Sequence, residues 1–379
     1  MKKLFLFPPL LLLGFVPGTQ AYGPDGHKII GAIADQKLAN TPTGARVSQL
    51  LDGYTLEEAA LMADTIKQWD KPGIDDPKVQ RYFSSHPKIA EQLRAFWQAN
   101  PPRSDEKSAV PSHHWFHYTD VPLVDDEKYA DGKTGRGQWD IVHMMRYCIE
   151  VLQGKKPEEN ARKITKPIAL ILLAHFVGDI HQPLHVGAQY FDAKGNPANP
   201  DRVSGIFPDE GGNSLQLKLA NAAPRKRDLK FHGYWDADAV LANLPQFPDT
   251  MPKEERQMKM DAAEKALTTD LAKEEPKNWQ LPPSVPVADY PEAWANEILP
   301  LAREAHARLH YRDVKPTLDQ EKMVAAGEIV EQPGPGTIPY RKWSAGVVRE
   351  ELHKAGWRLA DLLQRALDPG SPTPAKAAP

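Results

Sequence analysis

The chain has 379 residues, a formal charge of −3 and one cysteine, Cys148. That length allows one large domain or two ordinary ones. A single cysteine excludes an intramolecular disulfide, so stability must come from a core or from bound metal. The slight acidity excludes bulk positive charge as a means of holding phosphate.

Residues 1–21, MKKLFLFPPLLLLGFVPGTQA, stand apart from the rest. Lys2 and Lys3 precede an apolar stretch from Leu4 to Val16, and Thr19-Gln20-Ala21 supplies a small-residue cleavage site. That order is the pattern of a secretory signal peptide. The stretch is shorter than the roughly 20 apolar residues of a membrane span, and Pro8-Pro9 interrupts it. Cleavage after Ala21 would export a chain beginning at Tyr22, periplasmic or extracellular. It would carry 45 basic and 50 acidic residues.

Apolar residues then recur at three- and four-residue spacings in His27–Ala39, Val47–Ala59, Ile141–Leu152, Ile168–Phe176, Tyr290–His310 and Val347–Ala366. This periodicity predicts helices. Alternation is rare. Its best instance is Ser214–Leu219, which could pair with Leu229–Phe231. Prolines cluster in 71–112, 197–208, 243–252, 275–291 and 333–339, read as long surface loops. Residues 252–275 read as a charged, solvated helix. The Pro/Ala-rich tail 368–379 reads as disordered. The expected fold class is all-α: one mainly helical domain over 22–367, with room for one small β-hairpin.

Histidines and carboxylates carry the chemical signal. Residues four apart share a helix face, and His175/Asp179 and His232/Asp236 both have that spacing. The first pair lies in the apolar run LLAHFVGDIHQPLH, and His185 follows just after Pro183. A buried Asp or His is costly unless paired or metal-bound. A plain His–Asp hydrogen bond in the core and a metal site are both open at this point. Tyr22 would become the N-terminus, where a free amine and its carbonyl oxygen can chelate a metal, with His27 one turn further on. Asp64 and His117 complete the candidates. His306 and His310 also sit four apart, but on a charged segment with no carboxylate motif, and read as a decoy.

In this order the residues resemble the single-strand-specific zinc nucleases of fungi and plants, which carry three zinc ions and also act as 3′-nucleotidases. Bacterial zinc-dependent phospholipase C shares their fold. The resemblance runs from Tyr22 to about Leu367. It rests on Tyr22-Gly23…Gly26-His27, Ala63-Asp64-Thr65-Ile66, His117-Tyr118…Asp120, His175-Phe176…Gly178-Asp179, Gln182-Pro183-Leu184-His185, Gly211-Gly212-Asn213, His232…Asp236 and Gly356-Trp357-Arg358-Leu359-Ala360.

The resemblance implies three zinc ions. One would be held by Asp64, His117, His175 and Asp179. A second would take the amine and carbonyl of Tyr22, His27 and a bridging Asp179. The third would take His185, His232 and Asp236, with positions left open for water or substrate. It further implies that metal-activated water attacks phosphorus in line and that products carry 5′-phosphates. Asp64 would orient or deprotonate the nucleophile, and Lys67 would contact phosphate as a point charge. Tyr118 would stack on an unpaired base, Asp120 would bond its edge and Asn213 would line the substrate site. Stacking needs base faces that a duplex hides, which gives single-strand preference a physical cause. Substrates would be single-stranded DNA or RNA and 3′-nucleotides.

The match departs from the family in places. Tyr22 stands where members commonly carry Trp. Asp64 and His117 lie 53 positions apart, far more than in compact members, and His113 and His114 compete for the role given to His117. Insertions near 70–112 and 237–288 have no assigned function. The alternatives are a phospholipase C, disfavoured because that branch resembles His-x-x-x-Glu where this chain has Asp236, and a non-catalytic zinc-binding protein.

Overall fold

The computed structural model describes residues 22–70, 72–101, 112–220, 229–319, 322–332 and 338–368. The leader read over 1–21 and the tail read over 368–379 lie outside the described residues, except Asp368, which accepts from the Thr43 hydroxyl. Side-chain caps and prolines set the helix starts. Helix α1 (Gly23–Leu38) carries Pro24 in its first turn. Helix α2 (Pro42–Leu50) begins at Thr41, whose hydroxyl accepts from the Gly44 amide. A reciprocal Thr55–Glu58 pair opens α3 (Leu56–Ala59), and α4 (Met62–Lys67) follows. The periodic stretch Val47–Ala59 is therefore two helices, parted where Asp52 (φ 54°) and Gly53 (φ 91°) turn left-handed.

The proline-rich stretch 71–112, read as loop, contains α5 (Pro77–Ser85) and α6 (Pro87–Ala99). Proline opens each helix. Its missing N–H costs nothing in that position, so these prolines start helices instead of breaking them. Asp140 caps α7 (Ile141–Leu152) and Thr165 caps α8 (Lys166–Ile180). Helix α8 is buried at every residue from Ile168 to Ile180. A helix apolar around its whole circumference belongs at the centre of a domain. Helices α1, α3, α4, α6 and α7 pack against it, with α12 (Tyr290–Ala307) and α13 (Tyr340–Leu367) from the C-terminal part. Between these lie α9 (Phe231–Gly233), a π-helical turn over Tyr234–Asp238, α10 (Ala239–Leu241) and α11 (Lys253–Lys273). Helix α11 is the charged helix anticipated from sequence. It is mostly exposed but lays Leu267 and Leu271 inward and packs on α1.

The sheets are small. Strand β1 (Val121–Pro122) runs parallel to β2 (Gly187–Ala188), and β3 (Tyr190–Phe191) pairs antiparallel with β4 (Phe207–Pro208). Strand β5 (Leu215–Lys218) does meet Lys230 through a Gln216–Lys230 bridge, as the anticipated hairpin requires. Its main partner is elsewhere: it lies parallel to β7 (Lys322–Glu331), which also pairs antiparallel with β6 (Leu309–Asp319). The expected helix to His310 ends at Ala307, and His310 is a strand residue. Among the described residues no helix is long and apolar enough to cross a membrane.

Candidate metal centre

Helix α8 holds His175 and Asp179 one turn apart, with His175 Nε2 3.3 Å from Asp179 Oδ2. Neither side chain is exposed to solvent. Three other elements converge on them. A 3₁₀ turn over His113–His117 ends with His117, whose Nδ1 lies 2.9 Å from Asp179 Oδ2 and 3.1 Å from His175 Nε2. Helix α4 brings Asp64 Oδ1 to 3.6 Å from His175 Nε2. Helix α1 brings His27, whose ring stacks on His175 at 3.9 Å and whose Nε2 lies 3.2 Å from Asp179 Oδ1. Gly178 makes that approach of α1 to α8 possible. A Cβ there would stand 2.6 Å from His27 Nδ1.

The second group is built on irregular turns. His185 ends a 3₁₀ turn over Pro183–His185, while His232 and Asp236 come from α9 and the π-helical turn after it. Such π turns often mark functional positions. His232 Nε2 lies 3.4 Å from Asp236 Oδ2 and 3.0 Å from His185 Nε2. Gln182 Nε2 donates to Asp236 Oδ1 at 2.8 Å.

The donor chemistry fits metal ions. His175 Nδ1 lies 2.7 Å from the Ala60 carbonyl, His185 Nδ1 2.8 Å from the His117 carbonyl and His232 Nδ1 2.7 Å from the Gly211 carbonyl. A carbonyl only accepts, so these Nδ1 atoms carry protons, and the Nε2 atoms of His185 and His232 present lone pairs when those rings are neutral. Burial holds His185 below its usual range, and burial with the neighbouring His185 ring pushes His232 down to about 3. Two neutral imidazoles thus aim lone pairs at each other across 3.0 Å, an arrangement that a shared cation relieves. Zinc takes imidazole nitrogen at about 2.0–2.1 Å, which suits that separation. The buried His27 Nδ1 and Nε2, Asp179 Oδ1 and Asp236 Oδ2 have no hydrogen-bond partner among the described residues. They are donors already stripped of water, the costly condition that coordination removes.

Charge is uneven across the pocket. Burial would raise the Asp64 carboxyl, but the Lys67 ammonium and the His175 and His117 rings outweigh it and hold it well below the carboxylate range. Lys67 Nζ stands 2.5 Å from Asp64 Oδ1. Burial likewise works against the Asp179 carboxylate, and its three histidines prevail and hold it ionised. At Asp236 the pull of the Lys67 ammonium is too small to prevail. Burial pushes its carboxyl well up despite the Gln182 hydrogen bond.

Tyr22 is fully buried in a left-handed conformation (φ 30°, ψ 27°). Its hydroxyl donates to the His181 carbonyl at 2.7 Å, and its own carbonyl accepts from the Gly26 amide. Tyr118 and Asp120 continue the chain just beyond His117, both half-buried. Asp120 exchanges backbone contacts with Gly135 and with the Tyr190 hydroxyl. Asn213 lies on the Gly211–Gly212 loop that orients His232 and donates to the Glu210 carbonyl. His113 and His114, the rivals of His117, turn away to Asp70. His306 is no bystander on a solvated helix. It is buried with Nε2 3.6 Å from Asp209 Oδ2 and Nδ1 2.8 Å from the Tyr311 hydroxyl. Helical spacing does not single out Gln182, the donor to Asp236, although it lies within the segment that also carries His185.

Comparison with known proteins agrees with this geometry. The model of the family described as S1/P1 Nuclease matches residues 22–368. Endonuclease 1 of Arabidopsis thaliana is 25% identical over 374 residues, covering 96% of this chain and 92% of that protein. Endonuclease 2 of the same plant is 24% identical over 277 residues, 71% of each chain. With that match over nearly all of the described chain, and with buried His/Asp clusters able to bind metal, the chain belongs to the S1/P1 nuclease family of hydrolases.

Proposed function

We propose that the chain is an exported, zinc-dependent endonuclease of single-stranded DNA and RNA that also removes phosphate from 3′-nucleotides and leaves 5′-phosphate ends. The carrying observation is the convergence of eight buried His and Asp side chains from separate elements into two adjoining donor sets, with lone pairs facing and carboxylate oxygens unpartnered. Three zinc ions are the proposed complement. Asp64, His117, His175 and Asp179 would hold one, and Tyr22 main-chain atoms, His27 and Asp179 another. His185, His232 and Asp236 would hold the third. Removal of residues 1–21 would free the Tyr22 amine, so export and assembly of that site are one event.

When bound, zinc supplies Lewis acidity that makes water acidic near pH 7 and neutralises charge on phosphate oxygens. The chain's own groups then have distinct tasks. Asp64 is ionised beside Lys67 and can accept a proton from the attacking water. Lys67, 15% exposed, can swing from Asp64 to a phosphate oxygen. Gln182 and the Gly211 carbonyl fix Asp236 and His232 in place. Tyr118 offers a face for an unpaired base, Asp120 a carboxylate for its edge and Asn213 an amide for the substrate.

The test is a panel of substrates with purified protein beginning at Tyr22 and its H175A variant. Single-stranded DNA, duplex DNA, RNA, 3′-AMP and phosphatidylcholine would each be assayed with and without chelator. The proposal expects chelator-sensitive cleavage of the single strands and of 3′-AMP, with duplex and lipid spared and H175A inactive. Cleavage of lipid alone, or equal activity in H175A, would overturn it.

A further inference from the structure

A further group of His and Asp side chains close enough together to hold a metal ion lies outside that centre. Asp70 follows the end of α4, and its side chain is 9% exposed. His113 Nε2 lies 3.3 Å from Asp70 Oδ1, and His114 Nε2 makes a very short contact with Asp70 Oδ2. Trp97, on α6, donates its indole N–H to Asp70 Oδ1 at 2.7 Å. His113 is buried, whereas the His114 side chain is 44% exposed.

The convergence is unusual for its local structure. His113 and His114 are consecutive residues of a 3₁₀ turn, where successive side chains point about 120° apart. Here both rings bend to one carboxylate, with their centroids 4.8 Å apart and their planes at 64°. Two imidazoles and one carboxylate, one donor apiece, are a transition-metal ligand set. Ligands at about 2.0–2.2 Å from a tetrahedral zinc stand a little over 3 Å apart; His113 Nε2 and Asp70 Oδ1 have that spacing, and the closer His114 ring would draw back from Asp70 Oδ2 on binding an ion. The indole proton supplies the orienting contact that ligating carboxylates have. The exposed His114 gives an ion a path from solvent and leaves room for water in the remaining positions.

We propose that Asp70, His113 and His114 form a further divalent transition-metal site, for zinc or a metal of similar ligand preference, distinct from the buried centre. Its place in the chain gives it a structural consequence. Asp70 follows the helix that carries Asp64 and Lys67, and His113 and His114 belong to the turn that ends at His117. An ion there ties those two elements together and pins α6, through Trp97, to the rim of the pocket.

Metal content separates this site from the catalytic one. Protein beginning at Tyr22, its H114A and D70N variants and H175A would be equilibrated with zinc, freed of excess metal, and analysed for zinc per chain and for single-strand cleavage. Wild type is expected to hold one zinc more than H114A or D70N, with cleavage by H114A retained. H175A should lose zinc together with activity. His114 is half-exposed, so H114A can be read as a folded protein, with circular dichroism as the check. Equal zinc in wild type, H114A and D70N would overturn the proposal and leave three groups joined only by hydrogen bonds, whatever H175A shows.

Discussion

The two halves of the metal pocket are made from different material. His27, Asp64, His175 and Asp179 stand on regular helical turns, and their carboxylates are already balanced by Lys67 and by histidines. His185, His232 and Asp236 stand on a 3₁₀ turn, the three-residue helix α9 and the π turn after it, with two lone pairs face to face and a carboxyl that burial drives toward its neutral form. The helical half can keep its shape through its own charges. The irregular half would draw its cohesion from a bound ion. Removing parts of each half should therefore have unequal effects.

The largest effect is expected at Asp179, which touches His27, His117 and His175 at once. Loss of Lewis-acid stabilisation worth several kcal/mol corresponds to about a thousandfold or more in rate. D179A should lower kcat/KM on single-stranded DNA by that order. A variant within tenfold of wild type would break the claim that this carboxylate is central.

G178A comes next. The added methyl would occupy space now held by the His27 ring, so the ring must move off its ligand position. Metal affinity in the helical half should fall by about 10–100-fold, the range seen when supports of a ligand are lost. Competition with a chromophoric chelator measures it. Unchanged affinity would mean that α1 shifts without cost.

Q182L should weaken the irregular half by about tenfold, at the low end of the same range, because it strips Asp236 of its donor. The helical half should keep its metal. Equal loss from both halves would erase the distinction between them. The smallest effect concerns backbone dynamics. On chelation, amide hydrogen exchange should rise over 182–188 and 231–241, while the core of α8 stays protected by its burial.

Much of this centre is legible in the amino-acid sequence. His175/Asp179 and His232/Asp236 announce themselves because helical spacing places i and i+4 on one face. The choice of His117 over His113 and His114 does not follow from periodicity. It is decided by long-range packing, which turns the other two histidines to Asp70. His306 looks idle in the sequence for the same reason: its partner Asp209 is distant along the chain and is met only through the fold. The β6–β7 hairpin is hidden because charged residues, Pro316 and a register shift between Arg312 and Lys315 obscure its alternation. Pro316 is tolerable there since β6 is the edge of its sheet. Helices α5 and α6 are masked by the prolines that start them. The pairing of Asp64 with Lys67 spans one helical turn and so is legible in the spacing, whereas the phosphate contact of the lysine is only what the family resemblance implies.

The central claim is that facing lone pairs and unpartnered carboxylate oxygens mark metal positions. Anomalous scattering at the zinc edge, from crystals of the zinc-equilibrated chain beginning at Tyr22, tests it most directly. Peaks are expected at Asp179 among His27, His117 and His175, and one between His185 and His232 beside Asp236. Density without an anomalous peak between His185 and His232 would contradict it.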